Sequence, residues 1–316
     1  MAEINLQEVH DLLVSIAHEA GKMIMSATPS YLSAGEKKNC SPPPSKHCTN
    51  QYANHLPTAA DLVTETDQAV EAMVSSRLQT SYPQFSFIGE ETFKPGVTKL
   101  TDAPTFIVDP IDGTTNFVHA FPAFCISLGF VVKKVPSVGV IYNPFLGELY
   151  TAIKGQGAYL SRNGAPKEKL PLKQNPEPLK DLSTCLVGAE WGSDRTGSNF
   201  ALKCAVFAKL AASKEDGGAM VHSLRAMGSA ALNIAAVAAG QQDVFWEGGC
   251  WAWDVAAGWC LLSEAGGIMA GGNPGDWDPA IDGRKYLAVR AAPEGQKAIV
   301  EEMWAVIGDG RLEYES

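Results

Sequence analysis

The chain has no apolar run approaching the roughly 20 residues that would cross a bilayer, and Met1 to His10 form an amphipathic pattern that includes Glu3 and Glu8. Neither membrane insertion nor secretion is therefore expected. Its seven cysteines (Cys40, Cys48, Cys125, Cys185, Cys204, Cys250 and Cys260) include no Cys-x-x-Cys pair and no regular spacing. That excludes a disulfide framework as an expectation and argues for reduced thiols in the cytoplasm, with Cys250 and Cys260 as small buried residues rather than zinc ligands. Positive charge is also short: 25 Lys and Arg stand against 35 Asp and Glu, a net charge of −10. Nucleic-acid binding needs clustered cations that displace phosphate counterions, so no nucleic-acid partner is expected. Beyond the proline cluster Ser41-Pro42-Pro43-Pro44-Ser45 there is no low-complexity segment and no useful internal repeat.

What remains is an ordinary globular composition, 46% hydrophobic and 19% charged over 316 residues, enough for one large or two closely packed domains. Apolar residues from Leu6 to Met25 recur at helical spacing, and a second helix is predicted from Thr66 or Asp67 to Leu78. Ser33 to Pro57 between them reads as an exposed loop. Short apolar runs at Phe85–Ile88 and Thr105–Val108 lead into Gly89-Glu90-Glu91 and Asp109, and four further strands to Leu160 suggest a largely antiparallel sheet. Beyond a polar stretch from Asn163 to Lys180, strand and helix patterns alternate. We therefore expect an α+β N-terminal half, residues 1–180, and an α/β C-terminal half, residues 181–316, in one compact unit with a soft boundary.

Chemistry concentrates in Asp109-Pro110-Ile111-Asp112-Gly113-Thr114-Thr115. A strand delivers Asp109, Pro110 is expected to stop pairing, and Gly113 frees the backbone to turn, so that two carboxylates converge. Thr114 and Thr115 can cap a following helix whose unpaired N–H groups would suit a phosphate oxygen. Hard divalent cations take oxygen ligands, and Glu90, Asp109 and Asp112 fit Mg2+, with Asp254 at the start of a predicted helix Asp254–Glu264 closing the cluster from the second half. Each element alone has a blander reading: Asp beside Pro and Gly makes ordinary turns, and Asp at a helix start is usually a cap.

Four segments in order, Asp61 to Asp67, Gly89-Glu90-Glu91, Asp109 to Phe117 and Trp253-Asp254-Val255-Ala256-Ala257-Gly258, resemble the inositol monophosphatase family across nearly the whole chain. The resemblance implies a layered αβαβα sugar-phosphatase fold, a homodimer, two to three Mg2+ ions and inhibition by Li+. It implies metal ligation by Glu90, Asp109, the Ile111 carbonyl, Asp112 and Asp254, with Asp67 positioning the attacking water or holding a further metal. Thr114 would help to activate that water. Gly113, Thr114 and Thr115 would bind phosphate, and Gly228, Ser229, Ala230 and Glu247 the alcohol of a small phosphorylated polyol. His119 matches a structural position.

The expected reaction is hydrolysis of inositol monophosphate by direct attack of metal-activated water, oriented by Glu90 and Thr114. The Asp109-x-x-Asp112 spacing disfavours an aspartyl-phosphate intermediate, whose usual motif is Asp-x-Asp. Alternative readings are a related sugar or polyol, histidinol or bisphosphate phosphatase, or a catalytically silent relative that binds metal or a metabolite. Two departures bear on substrate. The family's usual Lys upstream of Asp61 falls near Leu56, with Lys46 as a candidate replacement, and Trp251 stands where many members have His. Trp251 reads either as core packing or as a stacking surface for substrate.

Overall fold

The computed structural model describes residues 4–27, 35–36 and 62–315. Lys46, Leu56 and the Ser33–Pro57 loop lie outside the described residues, except for β1 (Gly35–Glu36), which pairs with β2 (Leu62–Val63). Helix α1 (Leu6–Ser26) begins where Asn5 accepts the N–H groups of Gln7 and Glu8, and buries the stripe Val9, Leu13, Ile16, Ala20 and Ile24. Helix α2 (Glu65–Ser81) starts slightly earlier than its apolar pattern indicated, because Thr64 caps it and Asp67 returns the bond from the third helical position. A polar capping box, not the apolar stripe, sets that boundary.

Seven strands then lie side by side in chain order: β3 (Ser86–Gly89), β4 (Thr105–Asp112), β5 (Cys125–Val132), β6 (Val135–Asn143), β7 (Glu148–Ile153), β8 (Gly157–Arg162) and β9 (Glu168–Lys169). Only β3 and β4 are parallel; the remaining pairs are antiparallel, as the alternating pattern predicted. A single short turn, α3 (Thr114–Val118), follows β4.

The second half adds β10 (Leu186–Ala189), α4 (Gly197–Ala211), β11 (Ser223–Arg225), α5 (Ala230–Ala239), β12 (Val244–Gly248), α6 (Ala252–Glu264), β13 (Ile268–Gly271), β14 (Lys285–Val289) and α7 (Gln296–Ile307). Its five strands are ordered β11-β10-β12-β14-β13, parallel across the first three and antiparallel beyond. The sequence reading stopped at α6 and did not identify β13, β14 or α7.

The layers run helix, sheet, helix, sheet, helix. One apolar cluster joins α1 and α2 to the outer face of the seven-stranded sheet. A second fills the space between the two sheets around α5 and α6, and a third seats α4 and α7 on the far side of the five-stranded sheet. This is the αβαβα arrangement. Helix α5, Ala-Ala-Leu-Asn-Ile-Ala-Ala-Val-Ala-Ala, is buried along its entire length, which explains why it is apolar apart from Asn233. Because α6 packs across β4 to β8, residues of the second half reach deep into the first. Among the described residues, no helix is long and apolar enough to cross a membrane.

Candidate metal and phosphate site

Strand β4 does not stop at Pro110. Asp109 pairs with Ser127 and Asp112 with Cys125, and the register shifts between them. Proline removes one ladder donor, and the sheet answers with a bulge rather than an end. The bulge turns both aspartates toward the end of the strand, where the Ile111 N–H donates to Asp109 Oδ1 at 3.0 Å. Gly113 then takes φ +89°, and a Cβ there would lie 2.8 Å from the Ala123 carbonyl oxygen and 3.1 Å from that of Gly228. Glycine is required on both counts.

Asp254 arrives from the other half of the chain. It is the third residue of α6 rather than its first, and its Oδ2 accepts the Trp251 N–H at 2.6 Å. The Ser127 hydroxyl donates to the Trp253 carbonyl at 3.0 Å, tying the start of α6 to β5. The result is that Asp109, Asp112 and Asp254 each offer an oxygen within 4.8 Å of the others. Glu90, on the turn after β3, is close enough to raise the pKa of both Asp112 and Asp254.

These carboxylates repel one another in a dry place. Burial first, opposed by bonds from Ser229 and the α5 backbone and reinforced by Glu90, pushes the Asp112 carboxyl up to about 6. Burial, then Asp112 and Glu90, holds Asp254 well above the usual carboxylate range. A group of acids that cannot all ionise unaided, offering only hard oxygens, suits a divalent cation such as Mg2+. The Ile111 carbonyl, expected as a further ligand, lies 3.1 Å from Thr114 Oγ1, whose one proton can go either to it or to Asp67.

Neither Thr114 nor Thr115 caps a helix by its side chain: the cap of α3 is Gly113. Thr114 Oγ1 instead lies 3.2 Å from Asp67 Oδ1, and the other Asp67 oxygen accepts the Thr64 N–H at 3.0 Å and the Thr64 hydroxyl. Asp67 is fully buried.

Gly228, Ser229 and Ala230 form the entry to α5. Ser229 caps that helix, and its hydroxyl donates to Asp112 Oδ2 at 2.5 Å beside the Ala231 N–H at 2.7 Å. The Ser229 side chain is thus engaged with Asp112, and α5 turns its positive end toward that carboxylate. Asn116 bridges the two halves, donating to Ala123 O at 2.6 Å and Met227 O at 2.7 Å.

Glu247 stands at the end of β12. The residue is partly exposed, but its Oε2 is shut from solvent, and the Cys250 thiol lies against the carboxyl. Burial and the nearby Glu190 push its carboxyl up to about 8, against the opposing pull of Lys203. Sequence reasoning missed Glu190 and Lys203. Glu190 Oε1 accepts the N–H groups of Met227 and Gly228 at 2.5 and 2.8 Å and Asn233 Nδ2 at 2.9 Å, and Lys203 donates to Gly248 O at 2.7 Å. The only available signal was Glu190 following the apolar run Leu186–Ala189; a lysine on a helix gave none.

Of the two readings of Trp251, the structure supports packing. Its ring stacks on Trp253 with centroids 5.2 Å apart, meets Phe93 at 5.1 Å and carries the Arg284 guanidinium 3.6 Å from its centroid. Cys250 and Cys260 are buried free thiols.

Layered helices and sheets around an acidic cluster that could hold a metal ion, beside a Thr–Asp pair, are what a phosphoric monoester hydrolase with a metal centre would need. The sequence model of the inositol monophosphatase family matches residues 5–307, and the chain belongs to that family. It is 49% identical over 259 residues to Inositol monophosphatase 2 of Saccharomyces cerevisiae, covering 80% of this chain and 85% of that one. It is 39% identical to Quinic acid degradation cluster protein x of Neurospora crassa, over 95% and 93% of the two chains. Its fold superposes on the structure of an inositol monophosphatase from Anabaena with a TM-score of 0.65 at 28% identity, covering 97% of each.

Proposed function

We propose that the chain hydrolyses inositol monophosphate, with Mg2+ held by Asp109, Asp112, Asp254 and Glu90 together with the Ile111 carbonyl, and acts as a Li+-sensitive homodimer in the cytoplasm. The observation that carries the reading is the convergence of Asp109, Asp112 and Asp254 within 4.8 Å, beside the Thr114–Asp67 pair. Bound Mg2+ would supply charge neutralisation for the phosphoryl and leaving oxygens and acidify a water.

The protein's own groups do the rest. Thr114 Oγ1 can take a proton from the attacking water while passing its own to Asp67 Oδ1, 3.2 Å away. Asp67 is kept in register for this by both donors of Thr64. Glu90 orients the same water. The backbone of Gly113 to Thr115 faces the phosphoryl group, and Asn116 holds that segment against Met227. At neutral pH the raised pKa of Glu247 leaves it protonated, so its buried carboxyl can both donate to and accept from an alcohol hydroxyl, with Gly228 to Ala230 beside it.

The decisive assay is phosphate release from a panel of monoesters with Mg2+, repeated with Li+. Inositol monophosphate should be the preferred substrate, and Asp109→Asn should abolish turnover. Release from none of the panel would overturn the proposal, as would turnover that Asp109→Asn leaves intact.

A further inference from the structure

Glu71 lies one turn after Asp67 on α2 and is 1% exposed. A carboxylate so deeply placed needs a reason, since burying it costs several kcal/mol unless it is hydrogen-bonded. Its Oε2 accepts the Glu91 N–H at 2.7 Å, and burial pushes its carboxyl above the usual glutamate range against the opposing bonds from the Thr92 hydroxyl and the N–H groups of Glu91 and Thr92. Gly89 completes the fit: a Cβ there would sit 2.5 Å from Glu71 Cδ, so only glycine lets the carboxylate reach the turn. The turn Gly89-Glu90-Glu91-Thr92 is thus clasped from behind, with Glu90 at its apex. Residues four apart share one helix face, so α2 presents Asp67 to Thr114 and Glu71 to the Glu90 turn from a single rigid rod.

We propose that Glu71 is a positioning residue that sets the Glu90 carboxylate for cation binding and couples it, through α2, to the Asp67–Thr114 pair. The proposal rests on the reading of Glu90 as a metal ligand. Glu71→Gln keeps the volume but replaces one carboxylate oxygen with an NH2 group that cannot accept the turn's donors, so it loosens the clasp.

Titration with Mn2+ alone, followed by calorimetry on the full chain, is the primary test. Glu71→Gln should raise the dissociation constant about tenfold and lower kcat at limiting metal. KM for the phosphate ester should stay within twofold, and excess metal should restore most of kcat. Gly89→Ala, which wedges the turn from the opposite side, should shift metal affinity in the same direction. An Mn2+ affinity within twofold of wild type in Glu71→Gln, whatever its melting temperature, would overturn the proposal. If Glu71→Gln does not fold, Thr92→Val decides: a shift of about threefold supports the clasp, and none refutes it. Because metal binding is read without turnover, a wild type that binds Mn2+ but hydrolyses nothing would defeat the phosphatase reading and leave this one standing.

Discussion

Glu247→Gln gives a sharp test of the electrostatics around the alcohol side of the site. The Glu247 carboxyl titrates near 8 in the folded protein against 4.5 for an ordinary glutamate, with burial the main cause and Glu190 the next. Below 4.5 the group is protonated in folded and unfolded chains alike. As pH rises from 4.5 to 8, the unfolded chain releases the proton and the folded one retains it, so stability is lost through that window. At 1.36 kcal/mol per unit, a gap of 3.5 units amounts to about 5 kcal/mol above pH 8. Glutamine has the same shape and no charge to bury. The difference in urea-unfolding free energy between Glu247→Gln and wild type, measured in chelator, should be near zero at pH 4.5. It should grow in favour of the variant by several kcal/mol at pH 8.5. A difference flat to within about 1 kcal/mol across that range would show that Glu247 titrates like a surface acid, and the case for a protonated Glu247 at neutral pH would fall.

Saturating Mg2+ should raise the melting temperature, by the equivalent of about 2.7 kcal/mol at a hundredfold excess over the dissociation constant. Since the Asp112 carboxyl titrates near 6, protons should displace the cation as pH falls through that value and the shift should shrink, which scanning calorimetry at pH 5 and 7.5 would show. Ser229→Ala removes both the cap of α5 and a donor to Asp112; it should cost about 1–2 kcal/mol of stability in urea unfolding and raise the metal requirement of the phosphatase assay. Asn116→Ala strands the carbonyls of Ala123 and Met227 and should cost about 1–3 kcal/mol by the same measurement.

Periodicity located α1 and α2, and short apolar runs bounded by turns located the antiparallel strands, whose central members are buried on both faces; most ends came within a few residues. Its errors fell where polar atoms set the boundary. Thr64 starts α2, Gly113 rather than a threonine caps α3, and Asp254 sits third in α6 because the helix begins at Ala252. At Pro110 the proline rule foretold an end, and a bulge carried the strand through. The short spacing of Asp109 and Asp112 is visible in one dimension, so the chemistry was legible there. Glu71, Glu190, Lys203 and Arg284 were not, because a lone charged residue on a helix or strand carries no sign of being buried until its neighbours are known.

By itself, then, the sequence determined the layered class of fold, the closely spaced pair Asp109 and Asp112, and the family, since these depend on local pattern and on motifs that follow one another in order along the chain. Only the tertiary structure decided which oxygen faces which donor. It joined Asp254 to Asp109 across the two halves, set Thr114 on Asp67, engaged Ser229 with Asp112 and closed Trp251 under Arg284. Such contacts follow from how helices and sheets stack, and stacking depends on surfaces that come together only when distant parts of the chain meet.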